Sequence, residues 1–449
     1  MKLAGALSLI CSLLFLFAKE QAIDSSYLLY PTQYESISQM RGMPAYEIKE
    51  LLERYKQNKI ESDADFARLL SHYYSSNKGI AVILYFYNNS ILKRTLFEPG
   101  KLIETKEFSI TVEELFALST RLNSALNVYK LTSNRSPVLR GIPPMPRDTT
   151  TYNLTNIIDT LTTILLPASF SKTYQHLIVI PCLNIGTIPF YLLKPYADST
   201  YLIDHCSLEV APTLLDFVFL RSKILQGKTI QQVLPYPDSL AFTLDNPLFV
   251  SNPEYPANTD YYFPDLPGAE KEIDSAIASS HHYKLFKGRD AKKDSILKYL
   301  TGADLAYFAT HGVADATDPV NKSFLVLSGE EPYLTSKEIQ NLRLKKDFHA
   351  PEMVILSACQ TGLGKSMDGG IAGSLARSFI LSGSNYIIES LWNVDDMATA
   401  FLMNRFMFYI QQKTAFFPSG ALRLAVLDTK QKFPSPLYWA SFSAFGTSW

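Results

Sequence analysis

Leu305-Ala306-Tyr307-Phe308-Ala309-Thr310-His311-Gly312 and Met353-Val354-Ile355-Leu356-Ser357-Ala358-Cys359-Gln360-Thr361-Gly362 decide how this chain is read. Each opens on a short apolar run of the kind a buried strand carries. Each then breaks into small and polar residues around one reactive side chain, His311 in the first and Cys359 in the second. A His at one strand end and a Cys at another is an arrangement for thiol nucleophilic chemistry.

Working outward, the second half of the chain alternates. Helices are expected over 268–280, 290–300, 335–341, 373–381, 398–413 and 420–433, and strands over 283–286, 304–309, 324–327, 353–357 and 384–391. Such alternation predicts a mostly parallel sheet with helices on both faces. Sites in such sheets form at the carboxyl ends of the strands. His311, Cys359 and the stretch Trp392–Asp396 all follow strands directly, so they converge on one edge.

Upstream, 79–87 and 91–97 read as a hairpin around Asn88-Asn89-Ser90. Helices are expected over 46–58, 63–74 (with Asp63 as its cap), 111–129, 151–166 and 213–225, and short strands over 176–181 and 201–203. Residues 133–148 read as a loop. Prolines 235, 237, 247, 253, 256, 264 and 267 mark 235–267 as a long surface connection between two α/β halves. The expected organisation is therefore a helical segment over 23–78, an N-terminal α/β half over 79–234, the Pro-rich connection over 235–267, and a catalytic half over 268–449.

Of the 449 residues, 47 % are hydrophobic and 19 % charged, which is globular composition. The formal net charge of −1 gives no electrostatic footing for nucleic acid. Cys11, Cys182, Cys206 and Cys359 show no CxxC spacing, so neither zinc nor a disulfide framework is indicated. Residues 1–22 hold one early Lys, an apolar stretch from Leu3 to Ala18 and a small residue at Ala22. They read either as a signal peptide or N-terminal anchor, or as a buried first helix. The first reading places the protein outside the cytoplasm or on a membrane, the second in the cytoplasm.

A free thiol is mostly protonated at neutral pH, so Cys359 needs a base, and an imidazole can take its proton and later return it to the leaving amine. Cys359 runs into Gln360-Thr361-Gly362-Leu363-Gly364, a loop able to present backbone N–H groups, and Gly312 can present another from the His side. The N–H groups of Gly312 and Cys359 are the expected oxyanion hole. The alternatives are structural: a buried thiol, a capped turn histidine, and at Asp395-Asp396 a carboxylate capping the helix that follows. Trp392 reads equally as packing or as a pocket wall.

The His-first order, with about 50 residues between the two, and the Ala-Cys-Gln context match the caspase arrangement. More broadly, residues 80–449 resemble the CHAT family, a caspase-like branch related to separases among the clan CD cysteine peptidases. The resemblance rests on Ile188-Pro189-Phe190, Leu266-Pro267-Gly268-Ala269-Glu270, the His and Cys segments, Ser390-Leu391-Trp392-Asn393-Val394-Asp395-Asp396, and Tyr438-Trp439-Ala440-Ser441-Phe442. Asp368-Gly369-Gly370 stands where the family tends to Gly-Glu-Gly. The resemblance implies a caspase-like α/β fold, with the N-terminal half as a pseudo-caspase partner of the catalytic one. It implies a His311–Cys359 dyad and a carboxylate, Asp395 or Asp396, lining a pocket for a basic P1 residue. The expected function is a cysteine endopeptidase acting on a protein or peptide substrate, with no metal and no cofactor. The alternative is a catalytically silent or latent peptidase-like module acting in protein–protein interaction and signalling, a latent form being open to release by an activating partner protein or by proteolysis within 235–267.

Overall fold

The computed structural model describes residues 62–74, 79–126, 138–139, 152–214, 216–218, 244–257, 261–278, 282–315, 318–358, 365–367, 370–392, 395–412 and 417–446. The N-terminal apolar run and the helix expected over 46–58 lie outside these residues, as do most of 133–148 and 219–225.

Helix α1, Asp63–Tyr74, buries Phe66, Leu69, Leu70 and Tyr73, the residues its spacing puts on one face. Its cap is Ser62 rather than Asp63: the Ser62 hydroxyl accepts from the Asp65 N–H at 3.2 Å. Strands β1, Ile80–Asn88, and β2, Ile91–Glu98, form the expected hairpin, turning through Asn89 and Ser90 at φ of 49° and 61°. A third strand, β3 (Lys101–Ser109), extends the ribbon antiparallel at the sheet edge. Its exposed Lys101, Lys106 and Glu107 and half-buried Glu104 give it none of the apolar alternation that marks a half-buried strand.

Next come α2 (Val112–Ala125, with a Thr111–Glu114 capping box), β4 (Val138–Leu139), α3 (Leu154–Leu165, capped by Asn153) and β5 (His176–Ile180). Residues 201–203, expected as a strand, instead open a short helix, α4 (Leu202–His205), where the Tyr201 N–H donates to the Asp204 carboxylate at 3.0 Å. The strand falls later, as β6 (Ser207–Val210).

A larger correction concerns 235–267. Within it lies β7, Leu248–Pro253, every residue of which is buried. Pro247 stands just before the strand and Pro253 at its last position, places where a missing N–H breaks no central ladder. The prolines therefore bracket a core strand instead of marking a surface connection. After β7 come β8 (Tyr261–Tyr262), α5 (Pro267–Ile277), β9 (Lys284–Gly288), α6 (Lys293–Leu300) and β10 (Leu305–Ala309). A small sheet of β11 (Gly312–Val313), β12 (Phe324–Val326) and β13 (Tyr333–Thr335) follows, with α7 (Pro319–Lys322) inserted. The chain then runs through α8 (Ser336–Asn341), β14 (Met353–Leu356), β15 (Lys365–Met367), β16 (Gly370–Gly373), α9 (Leu375–Ser382) and β17 (Tyr386–Ser390). It ends in α10 (Asp396–Gln411), α11 (Pro418–Lys432), α12 (Pro436–Trp439) and β18 (Phe442–Gly446).

One sheet takes in both halves, in the order β3-β2-β1-β5-β6-β18-β17-β14-β10-β7-β9. Only β2 with β3, β1 with β2, and β17 with β18 are antiparallel; every other neighbouring pair is parallel. Strand β18, late in the sequence, sits between β6 and β17 and joins the two parts. Successive residues of β10 show that both faces are covered. Tyr307 donates its hydroxyl proton to Glu272 on α5, while Phe308 meets Phe379 on α9 across 5.7 Å. Buried polar ties reinforce the join. Arg377 on α9 pairs with Asp216 at 3.1 Å, and Arg423 on α11 donates to the carbonyls of Ile203 and Asp204.

Candidate active site

The parallel neighbours β10, β14 and β17 are in register at Phe308, Leu356 and Glu389. His311 is the third residue past Phe308, and Cys359 the third past Leu356. Adjacent parallel strands lie ~4.8 Å apart, so the two motifs leave the sheet side by side on its carboxyl edge. Cys359 and the loop 360–364 fall outside the described residues. The last residues before them are fixed on both sides. The Ser357 N–H donates to the Phe308 carbonyl at 3.0 Å, and the Ser390 hydroxyl donates to the Ala358 carbonyl at 2.5 Å.

His311 is fully buried. Its Nε2 lies 2.7 Å from the carbonyl oxygen of Pro264. A carbonyl can only accept, so Nε2 carries the proton and Nδ1 is the basic nitrogen of the neutral ring. Tyr255 packs edge-on against the imidazole at 4.6 Å and Phe263 lies at 5.5 Å, which hold the ring plane. The backbone beyond it is placed by β12: the Val326 N–H donates to the His311 carbonyl at 2.9 Å. That bond makes Gly312 and Leu325 a non-hydrogen-bonded pair, so the Gly312 N–H is directed away from β12.

The segment carrying Pro264 reaches a second predicted site residue. A Cβ added to Gly268 would stand 2.7 Å from Cγ of Asp396, so the Asp396 carboxyl rests directly on the first turn of α5. Asp395 has the capping role that sequence offered as the alternative: its Oδ1 accepts from the N–H groups of Met397 and Ala398 at 3.0 and 2.9 Å. Trp392 is buried and donates its indole N–H to the Leu437 carbonyl at 3.1 Å, a packing role. Residues 264–268 thus run from His311 to Asp396. Sequence reasoning passed over Tyr255, Phe263 and Asn252, and took Pro264 only as one of the prolines marking a connection.

Glu389, register partner of Leu356, is buried, and desolvation pushes its carboxyl up to about 8. Cys182 and Cys206 are buried, and burial pushes the Cys206 thiol far above its ordinary value. Among the described residues no group of three or more His, Cys, Asp or Glu side chains is gathered for a metal, and no helix is long and apolar enough to cross a membrane.

A family model described as CHAT domain matches residues 154–447. Tetratricopeptide repeat protein 28 of Homo sapiens is 23% identical over 314 residues, covering 61% of this chain and 12% of that protein. The Mus musculus protein of the same name is 22% identical over 297 residues, covering 58% and 12%. The chain therefore spans about an eighth of the length of the curated relatives it matches. Among solved structures, the Saccharomyces cerevisiae separase–securin complex superposes with a TM-score of 0.55 at 12% identity, over 93% of this chain and 33% of that one. The shared feature is the caspase-like α/β fold.

Proposed function

Starting from the fact that this chain belongs to the CHAT domain family, we propose that it is a cysteine endopeptidase working through His311 and Cys359. The observation that carries this reading is the 2.7 Å bond from His311 Nε2 to the Pro264 carbonyl. It leaves Nδ1 as the base, at a strand end in register with the one leading to Cys359. Nδ1 takes the thiol proton, and the thiolate sulfur attacks the peptide carbonyl carbon. The developing oxyanion is met by the N–H groups of Gly312 and Cys359, each contributing about 3 kcal/mol in comparable sites. The C–N bond breaks as the imidazolium returns its proton to the leaving amine. Water then attacks the thioester, with His311 again taking a proton, and releases the acid and the thiol.

Asp396 is the carboxylate assigned to a basic P1 side chain, because it lies on the segment that also touches His311 while Asp395 is committed as a cap. Protein partners fit the same reading. The neighbouring structure is a separase–securin complex, and an activating partner protein is proposed for this chain.

The test is hydrolysis of a P1-scanning fluorogenic peptide library by the full chain beside Cys359→Ala. Cleavage after Arg or Lys that vanishes in the variant is expected. Silence of the wild-type chain, together with a Cys359 that a thiol reagent labels no faster than glutathione, would favour a non-catalytic interaction module instead.

A further inference from the structure

Next to last in strand β7 stands Asn252, a buried residue in the left-handed region at φ 39°. Its side-chain amide makes three hydrogen bonds, all to one short stretch. Nδ2 donates to Asp265 Oδ1 at 2.8 Å and to Glu270 Oε1 at 3.1 Å. Oδ1 accepts from the Leu266 N–H at 3.0 Å. That stretch begins right after Pro264, whose carbonyl sets the His311 tautomer. Pro264 and Pro267 have no N–H, so between them only Asp265 and Leu266 offer backbone donors, and Asn252 takes the one on Leu266.

Resting on the peptidase reading, we infer that Asn252 is a positioning residue for His311. It ties the Pro264 carbonyl to the central sheet and so holds the imidazole in the Nε2–H form. An amide supplies the two N–H donors and the one acceptor used here, where a hydroxyl has one donor; a carboxylate at 252 would face those of Asp265 and Glu270. Glu270 is also held by Lys287 at 2.7 Å; that ammonium, ahead of the Asn252 amide, keeps its carboxyl below the ordinary range. The two neutral imidazole tautomers are intrinsically close in energy, and the partner of one nitrogen selects between them. If the carbonyl drifts, the Nδ1–H form gains population, and that form cannot accept the thiol proton.

The experiment compares the full-length wild type, Asn252→Gly, and the triple variant Asn252→Asp/Asp265→Asn/Glu270→Gln. Glycine keeps the left-handed backbone and deletes the amide. The triple variant restores the bonds to 265 and 270 with donor and acceptor exchanged, and leaves no carboxylate facing residue 252. Two quantities are measured: the His311 ring ¹⁵N shifts, and the iodoacetamide labelling rate of Cys359 from pH 5 to 9, with melting temperature as the folding control. Wild type is expected to hold the Nε2–H tautomer. Asn252→Gly is expected to lose that preference and to label about ten- to hundred-fold more slowly at pH 7, its profile moving toward an ordinary thiol near ~8.5. The triple variant is expected to recover most of both. Wild-type tautomer and labelling in Asn252→Gly, or a loss that the triple variant does not recover, would overturn the inference. If Asn252→Gly shifts the tautomer while wild-type Cys359 labels no faster than glutathione, the positioning role stands and the peptidase reading falls.

Discussion

Glu389 is a carboxyl set inside the central sheet, and its burial has a measurable sign. In the unfolded chain it loses its proton near pH ~4.3. In the folded protein it keeps that proton until about pH 8. Between these values the folded state binds the extra proton, so this group's contribution to stability falls as pH rises through the window and levels off above it. Glu389→Gln should match the wild type near pH 5. It should be more stable at pH 8.5 by on the order of a few kcal/mol, read from denaturant midpoints at both pH values; equal midpoints at pH 8.5 would refute the assignment. At this scale the legible residues were those whose chemistry is marked by type. His311 and Cys359 follow apolar runs and could be picked out directly. The Pro264 carbonyl could not, because every residue has a carbonyl and this one acts on His311 from a segment that adjoins it only through the fold.

Helix α10 separates two carboxylates that sequence could not tell apart. Asp395 caps it and Asp396 lies on the first turn of α5. Asp395→Ala should lower the melting temperature, with a loss of about 1 kcal/mol as for other caps. Asp396→Asn should leave the melting temperature nearly unchanged and raise KM for Arg and Lys P1 peptides roughly ten-fold, a difference of about 1.4 kcal/mol in binding. A KM effect confined to Asp395→Ala would reverse the assignment. Elements were legible where one face is apolar, as in α1, or where an apolar run is unbroken, as in β10. They were missed where the signal is inverted. Charged β3 is an exposed edge, β7 is flanked by prolines, and Tyr201–Ile203 has strand-like residues but is turned into a helix by Asp204.

On the scale of the molecule, the two halves expected from the sequence are stretches of one sheet, and β18 is the join. That long-range pairing has no local mark, since 442–446 reads only as a short apolar tail. Gly446 at its end sits at φ 122°, and a Cβ there would come within 2.2 Å of the Asn385 carbonyl oxygen. Gly446→Ala should cost on the order of 3 kcal/mol or more. It should also split a single urea transition into two, as β1–β6 and β7–β17 unfold separately; an unchanged single transition would refute the joining role. The same placement sets a clock on biosynthesis. Strand β6 leaves the ribosome more than 200 residues before its partner. At about 5–20 residues per second, its outer edge waits on the order of 10–50 s with a row of unanswered backbone groups. Such an edge is a template for other nascent chains. For that interval the edge stays open, until the chain's own later strand closes the sheet.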